Sequence, residues 1–583
     1  MTPPYQAEAD RRSHDQAGEA IGVMRRSVLA GRLDAISREM GVVLERSARS
    51  PIFAEACDFS CGVCDAYGEL VSQLSGIPIL AAVGSASVKA VIGGYGEGIE
   101  DGDSFIVNDP YAGGNHLPDI GIVTPVFAQG ELLFFCVSRA HHGDVGGSSP
   151  GSYNPRATDV FQEGVRIPPT RIARAGEALD DVLELIAYNT RNPAMLRSDL
   201  LAQIGANKVG ARRLLELVER ESALVVREAT ADLLARAEAL TRRRIAAIPD
   251  GVYRATEEVD DDGFQTERIR IRTAVEVRGD RLLVDFAGTD AQVRGFLNCA
   301  LATTQTAAAI AVLWVLGADI PRNGGAFRAV EVNAPLGTLV NPRPPAPVTL
   351  STLTPAGEII AAVFKALSAT APTALPAGFS RFCGPSFFGV DPRNEQFYVG
   401  FAFCALGGGG AMRGVDGAPY MSPISNHGGV RTPNIEANEV QYPHLTLRHE
   451  MEPDTAGAGR WRGGPGVRYE FRVYDPEPGI VMFGDGMKVA PYGVGEGHEG
   501  SLNQAYLTTA EGEVVALRSK AAARELAPGD RITLISSGGG GYGPPSERSR
   551  ERVSCDVRDG LVSPEAAASL YGLCLDELPA ELE

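Results

Sequence analysis

The sequence predicts an α+β chain of mixed strands and helices, with a long helical segment and a glycine-rich, β-dominated C-terminal part. Three observations carry this. Short apolar runs broken by turn residues fill 103–139, helical periodicity spans 195–247, and glycine clusters recur beyond residue 380. With 583 residues and 44% hydrophobic content the chain can fill several cores. Its net charge of −19 repels phosphate backbones and anionic lipid. Neither nucleic acid nor a membrane is therefore expected as the main partner.

The elements follow in order. Residues 1–20 are polar with charges of both signs, lack the apolar core of a signal peptide and read as a flexible tail. Leu29, Leu33, Ile36, Met40 and Val43 recur at four-three-four-three spacing, which gives a helix one apolar stripe. "DSFIVNDP" (103–110), "IGIVTPVF" (120–127) and "ELLFFCVSR" (131–139) read as strands, punctuated by Gly113-Gly114 and Gln129-Gly130. Leu214, Leu217, Val218, Val225, Leu233, Ala237 and Leu240 keep helical spacing through 195–247, the longest helical segment.

Next, Ile269, Ile271, Val275 and Val277 alternate with polar residues, Gly279-Asp280 turns the chain, and Leu282, Val284 and Phe286 alternate back. "AAAIAVLWVLGADI" (307–320) is too short to cross a bilayer and reads as a buried helix. "NPRPPAPV" (341–348) is a stiff connector and an expected internal boundary. "GGGGA" (407–411), "GAGRWRGGPG" (457–466) and "SSGGGGYGPP" (536–545) lack the Gly-Lys-Ser/Thr of a nucleotide loop and are expected as tight turns. Arg460 and Arg462 among them could serve an anion, with a solvated loop as the plainer reading. Residues 546–583 return to a charged amphipathic helical pattern. The expected divisions are 1–20, 21–250, 251–345, 346–545 and 546–583.

Two groups of residues could carry chemistry. Cys57, Cys61 and Cys64 have the Cys-x3-Cys-x2-Cys spacing of radical iron–sulfur enzymes. The glycine-rich barrel succession such enzymes need does not follow them, so small buried thiols are the preferred reading. Nine scattered cysteines and no export signal suit a reducing cytoplasm. The second group is His116 and Asp119 in "NHLPD", with His141, His142 and Asp144 in "AHHGD". Imidazoles and carboxylates on adjoining strand ends suit zinc, manganese or iron(II). Consecutive strand residues point to opposite faces, so His141 and His142 are not expected to share one ion. The alternative is that these histidines cap strand ends and bond only to backbone.

"NDPYAGGNHLPDIGIVTPVF", "RAHHGDVGGSSPGS", "FQEGVRIPP", "DFAGTDAQVRGFLN" and "EPDTAGAGRWRGGPGVRYEF" resemble signature stretches of the hydantoinase B/oxoprolinase family, and the likeness runs over about 20–572. The resemblance implies an N-terminal metal-binding region whose ligands to one divalent ion, zinc or manganese, are Asp58, His116, Asp119 and His141. His142 is the alternate ligand; His142 or Asp144 is the candidate proton shuttle. It further implies an ATP-dependent cyclic amide hydrolase. A partner, the hydantoinase A-type ATPase subunit, binds ATP and Mg2+ and phosphorylates the amide in a hetero-oligomer, and this chain hydrolyses the activated amide. The alternatives are a subunit of an ATP-dependent ketone carboxylase of the acetone/acetophenone type and a non-catalytic subunit that holds the ATPase. Two stretches depart from the family pattern: "ILAAVGSAS" lacks the histidine that is usual near Leu80, and "STLTPAGE" (351–358) replaces Gly-Asn-Val-Glu-Thr. Both are expected to line the substrate pocket.

Overall fold

The computed structural model describes residues 22–74, 76–368, 370, 375–426 and 428–573. The expected 1–20 tail therefore lies outside the described residues, as does the end of the C-terminal segment. Helix α1, Val23–Ser47, buries Leu29, Leu33, Ile36, Met40 and Leu44, so the predicted stripe is the buried one.

An antiparallel seven-stranded sheet follows, with strands β1 Phe59–Asp65, β2 Leu70–Gln73, β3 Ser104–Val107, β4 Asp119–Ala128, β5 Glu131–His141, β6 Thr170–Arg174 and β7 Glu177–Ala178. Their order across the sheet is β2-β1-β5-β4-β3-β6-β7. The β4–β5 hairpin turns at Gln129 and Gly130, with φ of 54° and 83°, where the sequence placed it. Helix α2, Pro78–Tyr95, packs on the face of β1, β4 and β5 that carries Cys64, Phe135 and Val137. The segment Pro78–Gly98 has the length and apolarity to span a bilayer, but it packs against this sheet.

Helix α3, Pro193–Glu221, covers the other face of β4 and β5 and packs along α1. A Cβ on Gly210 would stand 2.4 Å from the Met40 sulfur, so glycine permits that approach. The helical segment expected as one piece is two: α4, Ala223–Ile245, begins after a break at Ser222. Ser222 has φ 74° and ψ 151°, outside the helical region, and its hydroxyl accepts the Val225 N–H as a cap.

The predicted hairpin is the middle of a second sheet: β8 Gly251–Val259, β9 Ile269–Arg278, β10 Arg281–Asp285 and β11 Val330–Asn333, ordered β11-β10-β9-β8. Helices α5, Leu301–Leu316, and α6, Ala356–Leu367, pack together, and α6 covers β8 and β9.

The C-terminal part is a sandwich. One sheet holds β12 Cys383–Asp391, β13 Gln396–Phe401, β16 Gly479–Gly484 and β19 Ala521–Glu525. The other holds β14 His444–Glu452, β15 Gly466–Val473, β17 Gln504–Thr508, β18 Val514–Ala516 and β20 Arg531–Ile535. Phe387 and Ile480 from the first meet Phe471, Leu507 and Ile532 from the second in one core.

The glycine runs correct the expectation of turns. Gly407–Gly410, Gly463, Gly464 and Gly538–Gly541 are absent from the positive-φ positions. They are backbones packed directly on one another, with Gly464 N donating to Gly409 O at 2.8 Å and Gly539 N to Gly464 O at 2.9 Å. Arg462 is likewise buried rather than solvated. Its Nε lies 3.2 Å from Asp556 Oδ1 on α7, Arg550–Arg558, and ties the C-terminal helix to the sandwich. Arg460 pairs with Glu547 at 3.0 Å over the Trp461 ring.

Candidate functional site

Strand register builds the site. Asp119 opens β4 and His141 closes β5, and the two are direct cross-strand partners, so their side chains share a face. That face is the one α2 covers. Asp58, just ahead of β1, is fastened alongside by its carbonyl, which accepts the His141 N–H at 3.0 Å. His116 comes from the glycine-softened loop before β4 and is fully buried.

The three ligand atoms form a tight triangle. His116 Nε2 lies 2.9 Å and His141 Nδ1 3.0 Å from Asp119 Oδ1, and the two nitrogens are 3.3 Å apart. Among the described residues, this trio is the group of His, Cys, Asp or Glu that could hold a metal ion. Donors around an ion at about 2.1 Å stand about 3.0 Å apart in an octahedron and about 3.4 Å apart in a tetrahedron. The observed edges match that range.

The hydrogen bonding points the same way. His116 Nδ1 bonds the Thr349 carbonyl at 2.5 Å, which places its proton there and leaves the Nε2 lone pair facing Asp119. The His116 Nε2 lone pair and the Asp119 carboxylate oxygen cannot sit 2.9 Å apart without a positive charge between them. Asp119 Oδ2 is buried without a hydrogen-bond partner, an orphan that a cation would satisfy. Burial alone would raise Asp119, yet the two imidazoles hold it well below the usual carboxylate range. Burial would depress His116, but Asp119 beside it carries the imidazole above its ordinary value. The donor set therefore fits a divalent cation.

Asp58 lines the same cavity, outside the tight trio. Burial pushes its carboxyl up to about 6 against the pull of His141. The wall includes Ile79 and Leu80 from the first turn of α2, Thr352 and Leu353, and the aromatic rings Tyr153, Phe382, Phe401 and Phe483. Both stretches expected at the pocket are there.

His142 and Asp144, the expected proton shuttle, are not. One residue past His141, His142 turns to the opposite face, where its Nε2 lies 3.0 Å from Gln203 Oε1 on α3 and its ring meets Phe53 edge-on. Burial lowers it to about 4, so it stays neutral. Asp144 accepts the Gly146 and Gly151 N–H groups and pairs with Arg191 at 2.9 Å, which occupies it in shaping a loop. The cysteine reading fails on the same geometry. Cys61 faces the α1 side of β1 and Cys64 the α2 side, in separate apolar clusters, and burial pushes the Cys61 thiol up to about 12.

Three contributors had no local signal. Thr349 lies just past the proline-rich connector, in a buried stretch, residues 346–351, that runs through the site. Glu163, in "FQEGVRIPP", holds that segment by accepting the Val348 and Thr349 N–H groups at 2.9 and 2.8 Å. Arg139 on β5, 1% exposed, donates to Asn115 Oδ1 at 2.8 Å and the Asp119 carbonyl at 2.9 Å, and so braces the His116 loop.

Fold and site together define an α+β chain with a buried His–Asp–His centre under an apolar pocket. The chain belongs to the hydantoinase B/oxoprolinase family, whose model matches residues 23–545. Caprolactamase subunit beta of Pseudomonas jessenii is 33% identical over 560 residues, 94% of this chain and 96% of that one. The crystal structure of ATP-dependent caprolactamase from Pseudomonas jessenii matches with a TM-score of 0.89 at 32% identity, covering 96% of this chain and 97% of that one. A nucleotide-free acetone carboxylase structure shares the fold, with a TM-score of 0.87 at 19% identity over 94% of this chain and 80% of that one.

Proposed function

We propose that this chain is the metal-dependent hydrolytic subunit of an ATP-dependent cyclic amide hydrolase, working with an A-type ATPase partner that binds ATP and Mg2+. The observation that carries the reading is the His116–Asp119–His141 triangle, with its orphaned Asp119 oxygen, opening on a pocket walled by apolar side chains. Two of the similar proteins are named as a caprolactamase subunit and an ATP-dependent caprolactamase.

His116, Asp119 and His141 would hold zinc or manganese, with Asp58 on the same wall as fourth donor. An ion held there would supply the Lewis acidity that makes water nucleophilic at neutral pH. The chain's own residues do the rest. Thr349 fixes the His116 tautomer, Arg139 and Glu163 hold the loops that aim the donors, and Phe382, Phe401 and Phe483 keep bulk water from the activated amide. His142 and Asp144 take no part in the transfer.

The test is isotopic. The two-subunit enzyme, given ATP and a cyclic amide in 18O-water, should place label in the new carboxylate, with phosphate carrying the former amide oxygen. Incorporation of labelled bicarbonate into a ketone without amide hydrolysis would transfer the chain to the carboxylase class. Steady ATP hydrolysis by this chain alone would contradict the division of labour.

A further inference from the structure

We propose that the ring opened here is an uncharged lactam whose remaining ring atoms carry only hydrocarbon, and that Leu80 and Leu353 are among the residues that read it. The inference rests on the hydrolase reading and narrows its substrate.

Ile79, Leu80, Leu353, Phe382, Phe401, Phe403, Leu406 and Phe483 supply most of the cavity's wall, and neither lysine nor arginine lines it. Arg381 lies next to Phe382 in the chain, but its guanidinium is committed. Its Nη1 and Nη2 each lie 2.7 Å from a carboxylate, Asp485 and Glu257, and its Nε lies 3.3 Å from Glu358. The positive charge the pocket can offer is thus at the His–Asp–His centre, where the reacting amide carbon must lie. A second anionic group on the ring would be desolvated with no counter-charge.

The polar atoms of the wall are few and suited to one amide. The side chains of Tyr153, Thr352 and Asn426 line the cavity and form no side-chain hydrogen bond among the described residues, which leaves them to meet the amide N–H and C=O. A hydantoin carries a second carbonyl and a second N–H, and these would face leucine and phenylalanine. Such groups lose their water without replacement. Methylenes at the same positions gain from burial.

The decisive comparison uses pairs that differ only in the carboxylate. With the two-subunit enzyme and ATP, kcat/KM for 2-pyrrolidone is measured against 5-oxoproline, and for δ-valerolactam against 6-oxopiperidine-2-carboxylate, with hydantoin and ε-caprolactam alongside. The bare lactam should win in at least one ring size by about 100-fold or more, and hydantoin should fall below the best lactam. Leu80→Arg, which offers the missing counter-charge, should narrow the gap by at least tenfold. If that variant does not fold, the wild-type pairs still decide. Equal or better turnover of the carboxylated ring in both pairs overturns the proposal while leaving the hydrolase reading intact. Inactivity on every cyclic amide overturns the hydrolase reading, and this proposal with it.

Discussion

His116 Nδ1 and the carbonyl of Thr349 meet at 2.5 Å across 233 residues of chain. This contact turns the imidazole so that Nε2, rather than Nδ1, faces Asp119. A loop ahead of β4 and a segment ahead of α6 must therefore fold together before the donor triangle exists.

Purified protein should contain about one divalent ion per chain, and His116→Ala should lose it. Removing one of three or four donors leaves an incomplete, poorly charge-matched site. Elemental analysis of both proteins checks this; full occupancy in the variant would refute the assignment.

Glu163→Gln should weaken metal retention by about 10- to 100-fold, the usual effect of losing an outer support. The carboxylate accepts two backbone N–H groups, whereas a carboxamide offers one acceptor and one donor to the same pair. Competition with a chelator gives the affinity, and far-UV circular dichroism reports whether the fold is retained. Unchanged affinity would mean that Thr349 is held without Glu163.

Arg139→Met should destabilise the protein by about 3 kcal/mol, because buried acceptors on Asn115 and Asp119 lose their donor. Urea unfolding provides the measurement. A variant as stable as the parent would show that the His116 loop is braced elsewhere.

His444 makes stability depend on pH. Burial lowers its imidazole to about 4, packed between Phe387, Tyr442 and Phe471. An unfolded imidazole titrates near 6.5, so between those values the unfolded chain binds the extra proton and stability falls as pH falls. From pH 7.5 to 5 this one group should cost about 2 kcal/mol. His444→Gln should remove that part of the slope in unfolding curves taken at both pH values.

The sequence made the periodic parts legible. Leu29, Leu33, Ile36 and Met40 are buried as their spacing requires, and the 269–286 hairpin alternates as read. His116, Asp119 and His141 were visible as His/carboxylate groups on strand ends, and the alternation rule already separated His141 from His142. Ser222 was not legible, because it breaks a helix without glycine or proline. Thr349 and Glu163 act through backbone atoms of distant segments, which leaves no local pattern. The glycine runs misled for the same reason: nothing in a run of glycines tells a turn from a backbone that another backbone touches.

Those runs set how freely the molecule can vary. A Cβ at Gly408 would stand 2.0 Å from the Gly464 carbonyl, at Gly463 2.0 Å from that of Gly539, and at Gly539 2.0 Å from that of Gly409. Each strand of glycine forbids side chains on the next, so no single replacement can be relieved by its neighbours. A saturation scan would find this block nearly intolerant while Leu80 and Leu353, a pocket's width away from it in role, accept many residues. New ring specificities would then arise by exchanging wall side chains against an immovable frame.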